Sequence, residues 1–415
     1  MYKSEFPWGA YPKKYGLIPF LYGHRNGIFC YKEETTMNMK KILVLLLAAV
    51  LLVGVLAGCG NGEAKAPSAS EEPAAEAGVR TVKDVLGREV EIASDIQTVA
   101  CPGLPSTRMV VYAGAVDKIA GVTENEKMEF VCAPCSDVFH DKFFDLPSIG
   151  SGWPNSEIYQ EELVTLDPDA VILFTNEAAQ ADELQEQTGI PVLAVFATDF
   201  VDQDFVDTMN FLGDVFGTKE HTDELVAYVQ DCIKDLDGRT KDIPDEEKPT
   251  VYYGAVSFRG YNGIDATYAH YNPFEIIHAR NVADETDGNG AMTVEKEQVA
   301  TWDPDILFIN QEGPTLGILQ EDFKTNPDFY RGLSAVQNGK VYGQAAYNCV
   351  YTNIELSLIN AYYAATIIYP EQFKDVDFQA KAEEILTMFE GEAGPSFLKM
   401  MEDAGLGYHQ VTMFD

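Results

Sequence analysis

The chain has 415 residues, of which 46% are hydrophobic and 11% aromatic. That is enough apolar material for two domains with real cores, and too much for a disordered chain. The formal charge of −37 repels nucleic acid and anionic lipid headgroups, which excludes a polyanion as partner.

Residues 1–36 precede possible starts at Met37 and Met39 and read as an upstream extension that takes no part in the fold. Residues 37–58 have the parts of a secretory leader: Lys40-Lys41, then an apolar run from Ile42 to Val55, the right length for a signal and short for a membrane span. The run closes on Leu56-Ala57-Gly58-Cys59, which looks like the lipobox of bacterial lipoproteins. That resemblance implies cleavage before Cys59 and lipidation of its thiol, with two acyl chains to give lasting attachment. Residues 59–78, rich in Ala, Pro, Ser and Glu, read as a solvated tether. With Cys59 modified, Cys101, Cys132, Cys135, Cys232 and Cys349 remain, an odd set that implies no disulfide framework. Cys132-Ala133-Pro134-Cys135, close to His140 and Asp141, stays open between a local disulfide, free thiols and a metal or redox site.

From Val79 onward strands alternate with helices. Thr98 to Cys101 reads as a strand, Pro102-Gly103-Leu104-Pro105 as its exit loop, and Ser106 to about Gly114 as a helix; further strands follow at Ile119–Val122 and Val192–Val195. One unit occurs twice. Glu161-Glu162-Leu163-Val164-Thr165-Leu166-Asp167-Pro168-Asp169 leads into the apolar run Ala170–Phe174, and Glu297-Gln298-Val299-Ala300-Thr301-Trp302-Asp303-Pro304-Asp305 leads into Ile306–Ile309. In each copy a helix stops before the proline, which crowds the preceding backbone out of the helical region, and a short greasy run follows, as in a parallel strand buried on both faces. Between the copies, Lys219 to about Lys241 spaces Leu225, Val229, Cys232, Ile233 and Leu236 as one long helix. The fold class expected is α/β: two pseudo-symmetric lobes with parallel sheets flanked by helices, residues 79–217 and 244–415, joined by one rigid helix over 218–243. A cleft between such lobes is where a small ligand binds.

Taken together, Thr81-Val82-Lys83-Asp84-Val85-Leu86-Gly87-Arg88, the paired Glu…Asp-Pro-Asp units, Gly339-Lys340-Val341-Tyr342, and Asn360-Ala361-Tyr362-Tyr363 before Tyr369-Pro370 resemble the substrate-binding lipoproteins of ABC importers for iron complexes, cobalamin and haem. The resemblance covers Val79 to the C-terminus and implies a monomer, anchored to the cell membrane outside the cytoplasm, that hands a small-molecule metal complex to a permease dimer with its ATPase subunits. In that family one surface glutamate on each lobe docks on permease arginines; the repeated unit puts these at Glu161 and Glu297. The iron-complex branch fits best, so the ligand expected is a ferric chelate of siderophore type, with cobalamin and haem as alternatives. No catalytic residue, resident metal or cofactor is implied. A GxSxG elbow, HExxH, P-loop and dinucleotide fingerprint are all missing, which disfavours an enzyme; a thiol or metal protein built on Cys132 and Cys135 is the remaining alternative.

Ligands of open α/β sheets lie beyond the carboxyl ends of the strands. That rule selects Ser106, Thr107, Arg108, Trp153 and Asn176 on the first lobe, and Arg259, Tyr261, Gln311, Tyr347, Asn348 and Tyr351 on the second. The aromatic rings offer flat faces and the arginines pair with an anionic chelate. Tyr261-Asn262-Gly263 stands where the family often carries a histidine, which favours recognition of a whole complex over direct metal ligation. His270 and His278 read as satisfied surface histidines, and Asp284 to Gly290 as a turn whose spacing is not that of a calcium loop.

Overall fold

The computed structural model describes residues 78–198, 202–349 and 351–414. The extension, the leader, Cys59 and nearly all of the tether lie outside the described residues.

The chain enters through an antiparallel hairpin of β1 (Val79–Lys83) and β2 (Glu89–Ala93). Its turn explains the Asp84…Arg88 motif. Asp84 Oδ1 accepts from the backbone N–H of Leu86 (3.1 Å) and Arg88 (2.9 Å), and Gly87 takes the φ of 81° that the turn needs. Arg88 then pairs with Asp84 at 2.8 Å and donates to the Val192 carbonyl at 2.9 Å, while the Ala194 N–H donates to Asp84 Oδ2 at 3.1 Å. One buried ion pair thus ties the hairpin to the edge of the first sheet.

That sheet has four parallel strands in the order β4 (Ile119–Gly121), β3 (Val99–Ala100), β5 (Ala170–Phe174), β6 (Val192–Val195). The second sheet contains a parallel core of the same order: β9 (Arg280–Asn281), β7 (Thr250–Gly254), β11 (Ile306–Gln311), β12 (Val341–Ala345). It departs from the all-parallel expectation at one edge, where β8 (Ala266–Ala269) runs antiparallel to β7 and β10 (Gly290–Thr293) antiparallel to β8. The chain from Gly254 to Ala266 holds no helix, and a parallel return requires a crossover of a dozen or more residues, usually helical.

Each copy of the repeated unit folds alike. The helices Gln160–Leu166 and Lys296–Trp302 end on Asp167 (φ 49°) and Asp303 (φ 42°), both left-handed, in front of their prolines. The next aspartate of each copy grips the start of the adjacent strand. Asp169 Oδ2 accepts from the Gln97 and Thr98 N–H groups at 2.8 Å each, and Asp305 Oδ2 accepts from the Thr250 N–H at 2.8 Å and its hydroxyl at 2.9 Å.

The lobes are joined by the helix Lys219–Thr240, whose 22 residues span about 33 Å. It buries one stripe, Thr222, Leu225, Val229, Cys232, Leu236 and Thr240. The helix Ile354–Ile368 is apolar nearly all round and correspondingly buried; Tyr362 donates its hydroxyl to Asp235 of the connecting helix at 3.1 Å, and Asn360 donates to the Ala345 carbonyl at 2.9 Å. The helix Phe378–Glu390 packs from there onto Leu104–Tyr112 of the first lobe, with the Tyr112 and Phe389 rings 4.7 Å apart. One continuous apolar core therefore runs through both lobes, and a smaller cluster fills the other face of each sheet. No described helix is long and apolar enough to cross a membrane.

Candidate functional site

A small opening lies between the lobes, with an enclosed volume of about 20 Å³. The first lobe contributes Pro105 and Met109 from the helix behind the β3 exit loop, Phe174 at the end of β5, and Ala197 and Thr198 beyond β6. The second contributes Tyr351, Thr352 and Ile354. Strand ends and the first turn of a helix converge here because both parallel cores point their carboxyl ends at the gap. Tyr351 reaches across to Phe174, ring centroids 5.5 Å apart, yet keeps 59% of its surface exposed. Its φ of 66° is left-handed, an unusual conformation for a tyrosine. Among residues that the strand-end rule did not select, Phe174 would have been found by extending it to the last residue of β5; Thr352 and Ile354 carry no signal in the sequence.

Arg108 is enclosed by the fold. It lines the cleft but is only 1% exposed, and its charge is engaged inside the protein. Nη2 donates to the Cys349 carbonyl at 3.2 Å, and the guanidinium lies beside Glu355 and Tyr112. Glu355 accepts the Tyr112 hydroxyl. Burial pushes the Glu355 carboxyl up, against the pull of Arg108. Burial and the adjacent Glu355 push Glu390 well above the carboxylate range. Arg108 thus compensates a buried acidic pair where the first lobe meets the C-terminal helices, and an anion in the cleft does not have it to itself.

Four other choices also fall inside the protein. Ser106 accepts from the Phe174 N–H at 3.0 Å, and Thr107 donates its hydroxyl to Glu126 at 2.6 Å. Gln311 is buried and donates to the Ile309 carbonyl at 3.4 Å. Tyr347 is 2% exposed, its ring set against Tyr271 (5.2 Å) and Tyr268 (6.0 Å). Ser106 and Thr107 lie on the helix after β3, Gln311 is the last residue of β11 and Tyr347 follows β12, so all four are caught in packing around the strand ends. Trp153 (58% exposed), Tyr261 (54%), Asn176, Asn348 and Arg259 are exposed. Arg259 makes no hydrogen bond or ion pair among the described residues and holds a φ of 51° on the loop after β7.

Behind Tyr261 lies a polar cluster. The Ser257 hydroxyl donates to Glu312 and sits 3.0 Å from the Thr315 hydroxyl, and Tyr253 donates to Asn310 at 2.7 Å. Burial pushes Glu312 up. Partial burial and Glu312 push the Tyr261 phenol to about 12, so it is a hydrogen-bond donor at neutral pH. Cys132 and Cys349 lie near the same group. Cys135 is buried beside Arg108, Glu355 and Glu390. His270 contacts Glu275 at 3.0 Å and His278 contacts Asp237 at 2.9 Å. Among the described residues, no group of three or more His, Cys, Asp or Glu side chains is arranged to hold a metal.

Glu161 and Glu297 occupy the same place in their two lobes, the second residue of each repeated helix, and both are exposed.

Two α/β lobes with matching parallel cores, bridged by one long helix and facing each other across a cleft, define a bilobal solute-binding protein. A family model described as periplasmic binding protein matches residues 99–346, and the chain belongs to that family. It is 23% identical over 308 residues to the ABC transporter substrate-binding lipoprotein YvrC of Bacillus subtilis (strain 168), covering 73% of this chain and 90% of the relative. It is also 23% identical over 314 residues to the Fe(3+)-citrate-binding protein YfmC of the same organism, covering 72% and 87%. Among solved structures, a periplasmic solute binding protein from Veillonella parvula superposes with a TM-score of 0.59 at 20% identity, covering 75% of this chain and 93% of that one. The two-lobe architecture is thus shared, and the protein binds a solute outside the cytoplasm.

Proposed function

We propose that the protein captures an iron complex, a ferric chelate, and delivers it to the permease of an ABC importer. The observation that carries this reading is the inter-lobe cleft walled by Phe174 and Tyr351, with the exposed guanidinium of Arg259, unpaired among the described residues, on the second lobe. Aromatic faces suit a bulky chelate at low entropic cost, and a guanidinium pairs with its carboxylates. Similarity to a ferric citrate binder supports the same class. Trp153, Tyr261, Asn176 and Asn348 are the further contacts assigned to the ligand. Cys59 anchors the chain to the membrane by its lipid, and Glu161 and Glu297 meet complementary charges on the permease, setting orientation and encounter rate more than affinity.

Cobalamin or haem in the same cleft is the alternative. Native mass spectrometry and a visible spectrum of the protein purified from its own cells separate the three. A ferric chelate is expected; a corrinoid or a Soret band replaces the iron reading with the alternative.

A further inference from the structure

The loop after β7 carries two of the residues assigned to the ligand, Arg259 and Tyr261, both exposed. Its base is closed where the Val256 N–H donates to the Ala266 carbonyl at 3.3 Å and the Ala266 N–H to the Gly263 carbonyl at 3.1 Å. Between those points, residues 257–262 make no backbone-to-backbone hydrogen bond among the described residues. Side chains hold the tip instead. Phe258 packs against the main core, and the Ser257 hydroxyl is tied to Glu312 and Thr315 at the start of the helix Gly313–Thr325. The Asn262 amide nitrogen donates to three carbonyls of its own loop: Val256 (3.1 Å), Phe258 (3.1 Å) and Gly260 (3.0 Å). All three neighbours are acceptors, so the nitrogen rather than the oxygen of the amide faces them, and its two hydrogens are shared among three oxygens. Two of the gathered carbonyls flank Arg259. They hold its backbone in the left-handed region, φ 51°, next to Gly260 at 126°. A residue with a Cβ stays in that region only while its surroundings enforce it.

We propose that Asn262 is a positioning residue of the ligand site, locking this loop so that the Arg259 guanidinium is preformed for an anionic chelate. The inference deepens the ferric-chelate reading and rests on it. The amide nitrogen of Asn262 is engaged by the loop, so the residue acts through Arg259 rather than on the ligand. A loop that is already ordered loses little freedom on binding, and the contact made by its arginine is correspondingly stronger. Alanine at position 262 removes the donor and releases the three carbonyls. Aspartate has the same shape but sets a carboxylate against three carbonyl oxygens, with no hydrogen to offer any of them. It should therefore disorder the loop at least as much as alanine does.

The test compares the mature wild-type chain with Asn262→Ala, Asn262→Asp, Arg259→Ala and the Asn262→Ala/Arg259→Ala double variant. Without any ligand, hydrogen exchange in peptides spanning residues 256–263 should speed up about fivefold or more in Asn262→Ala, and at least as much in Asn262→Asp. Exchange elsewhere should stay unchanged, and the melting temperature should remain within about 2 °C of wild type. Fluorescence titration with ferric citrate should show Asn262→Ala binding about three- to tenfold more weakly than wild type. The same substitution should cost less than about twofold when Arg259 is already alanine, because the loss passes through that guanidinium. Haemin replaces ferric citrate if the wild type takes no ferric chelate, so failure of the iron reading shows in the wild type and failure of this proposal in the variants. Unchanged exchange in the loop, faster exchange throughout the chain, unchanged affinity, or losses that simply add in the double variant would overturn the proposal.

Discussion

Arg108 and Arg259 meet the same sequence criterion, a cation just past the end of a strand, and the fold gives them opposite tasks. Arg108 is enclosed with Glu355, Glu390 and Tyr112; removing it leaves a buried acidic pair without its counter-charge. Arg108→Met should therefore cost about 3 to 5 kcal/mol of stability, read from urea denaturation. Arg259 is exposed and unpaired among the described residues, so Arg259→Ala should change stability by less than about 0.5 kcal/mol. The same substitution should weaken binding of ferric citrate about tenfold, since one charge-assisted contact is worth roughly 1.4 kcal/mol or more. Equal destabilisation by the two variants in denaturation would contradict this division of labour.

At the scale of elements, the repeated helix and its Asp-Pro-Asp tail form one structural device used twice. Asp169 and Asp305 each hold the backbone at the start of the neighbouring strand, so Asp169→Ala and Asp305→Ala should each destabilise by about 1 to 3 kcal/mol and by similar amounts. A large difference in their urea midpoints would show that the copies are not equivalent. Glu161 and Glu297 are exposed on the same helices and are not among the residues that line the cleft. Reversing both to Lys should leave melting temperature and ligand affinity unchanged while uptake into cells falls at least tenfold. Uptake at the normal rate would remove the docking role. This unit was legible in the sequence because its signals are local: proline geometry, a capping aspartate and a short apolar strand.

At the scale of the whole molecule, the connecting helix is not the lone brace. Helices Ile354–Ile368 and Phe378–Glu390 also span from the second lobe to the first, and the core is continuous between them. Lobe movement is accordingly expected to be small, since such a core does not deform continuously. Buried acids give the assembly a pH dependence. Burial pushes Glu126 and Asp137 up to about 6 each, and Glu355 and Glu390 are raised in the same direction. The unfolded values lie near about 4, so between about pH 4 and 6 the folded chain holds protons that the unfolded chain releases. That stability is present at low pH and lost as pH rises through about 6. Asp117, held low by Lys142, acts below this window. The urea midpoint should rise on going from about pH 7.5 to about pH 5.5, by an amount on the order of 2 kcal/mol in stability; a fall over that range would contradict the assignment.

The sequence by itself determined the alternation of strands and helices, the duplicated unit, the long connector and hence the bilobal class. Those features depend on periodicity, turn chemistry and proline geometry, which act over a few residues. Only the tertiary structure decided which strand-end residues face the cleft, because burial depends on neighbours far away in the chain. Arg108 meets Glu355, and Phe174 meets Tyr351. Each of these pairs joins opposite ends of the protein, and no local pattern in either partner encodes the other.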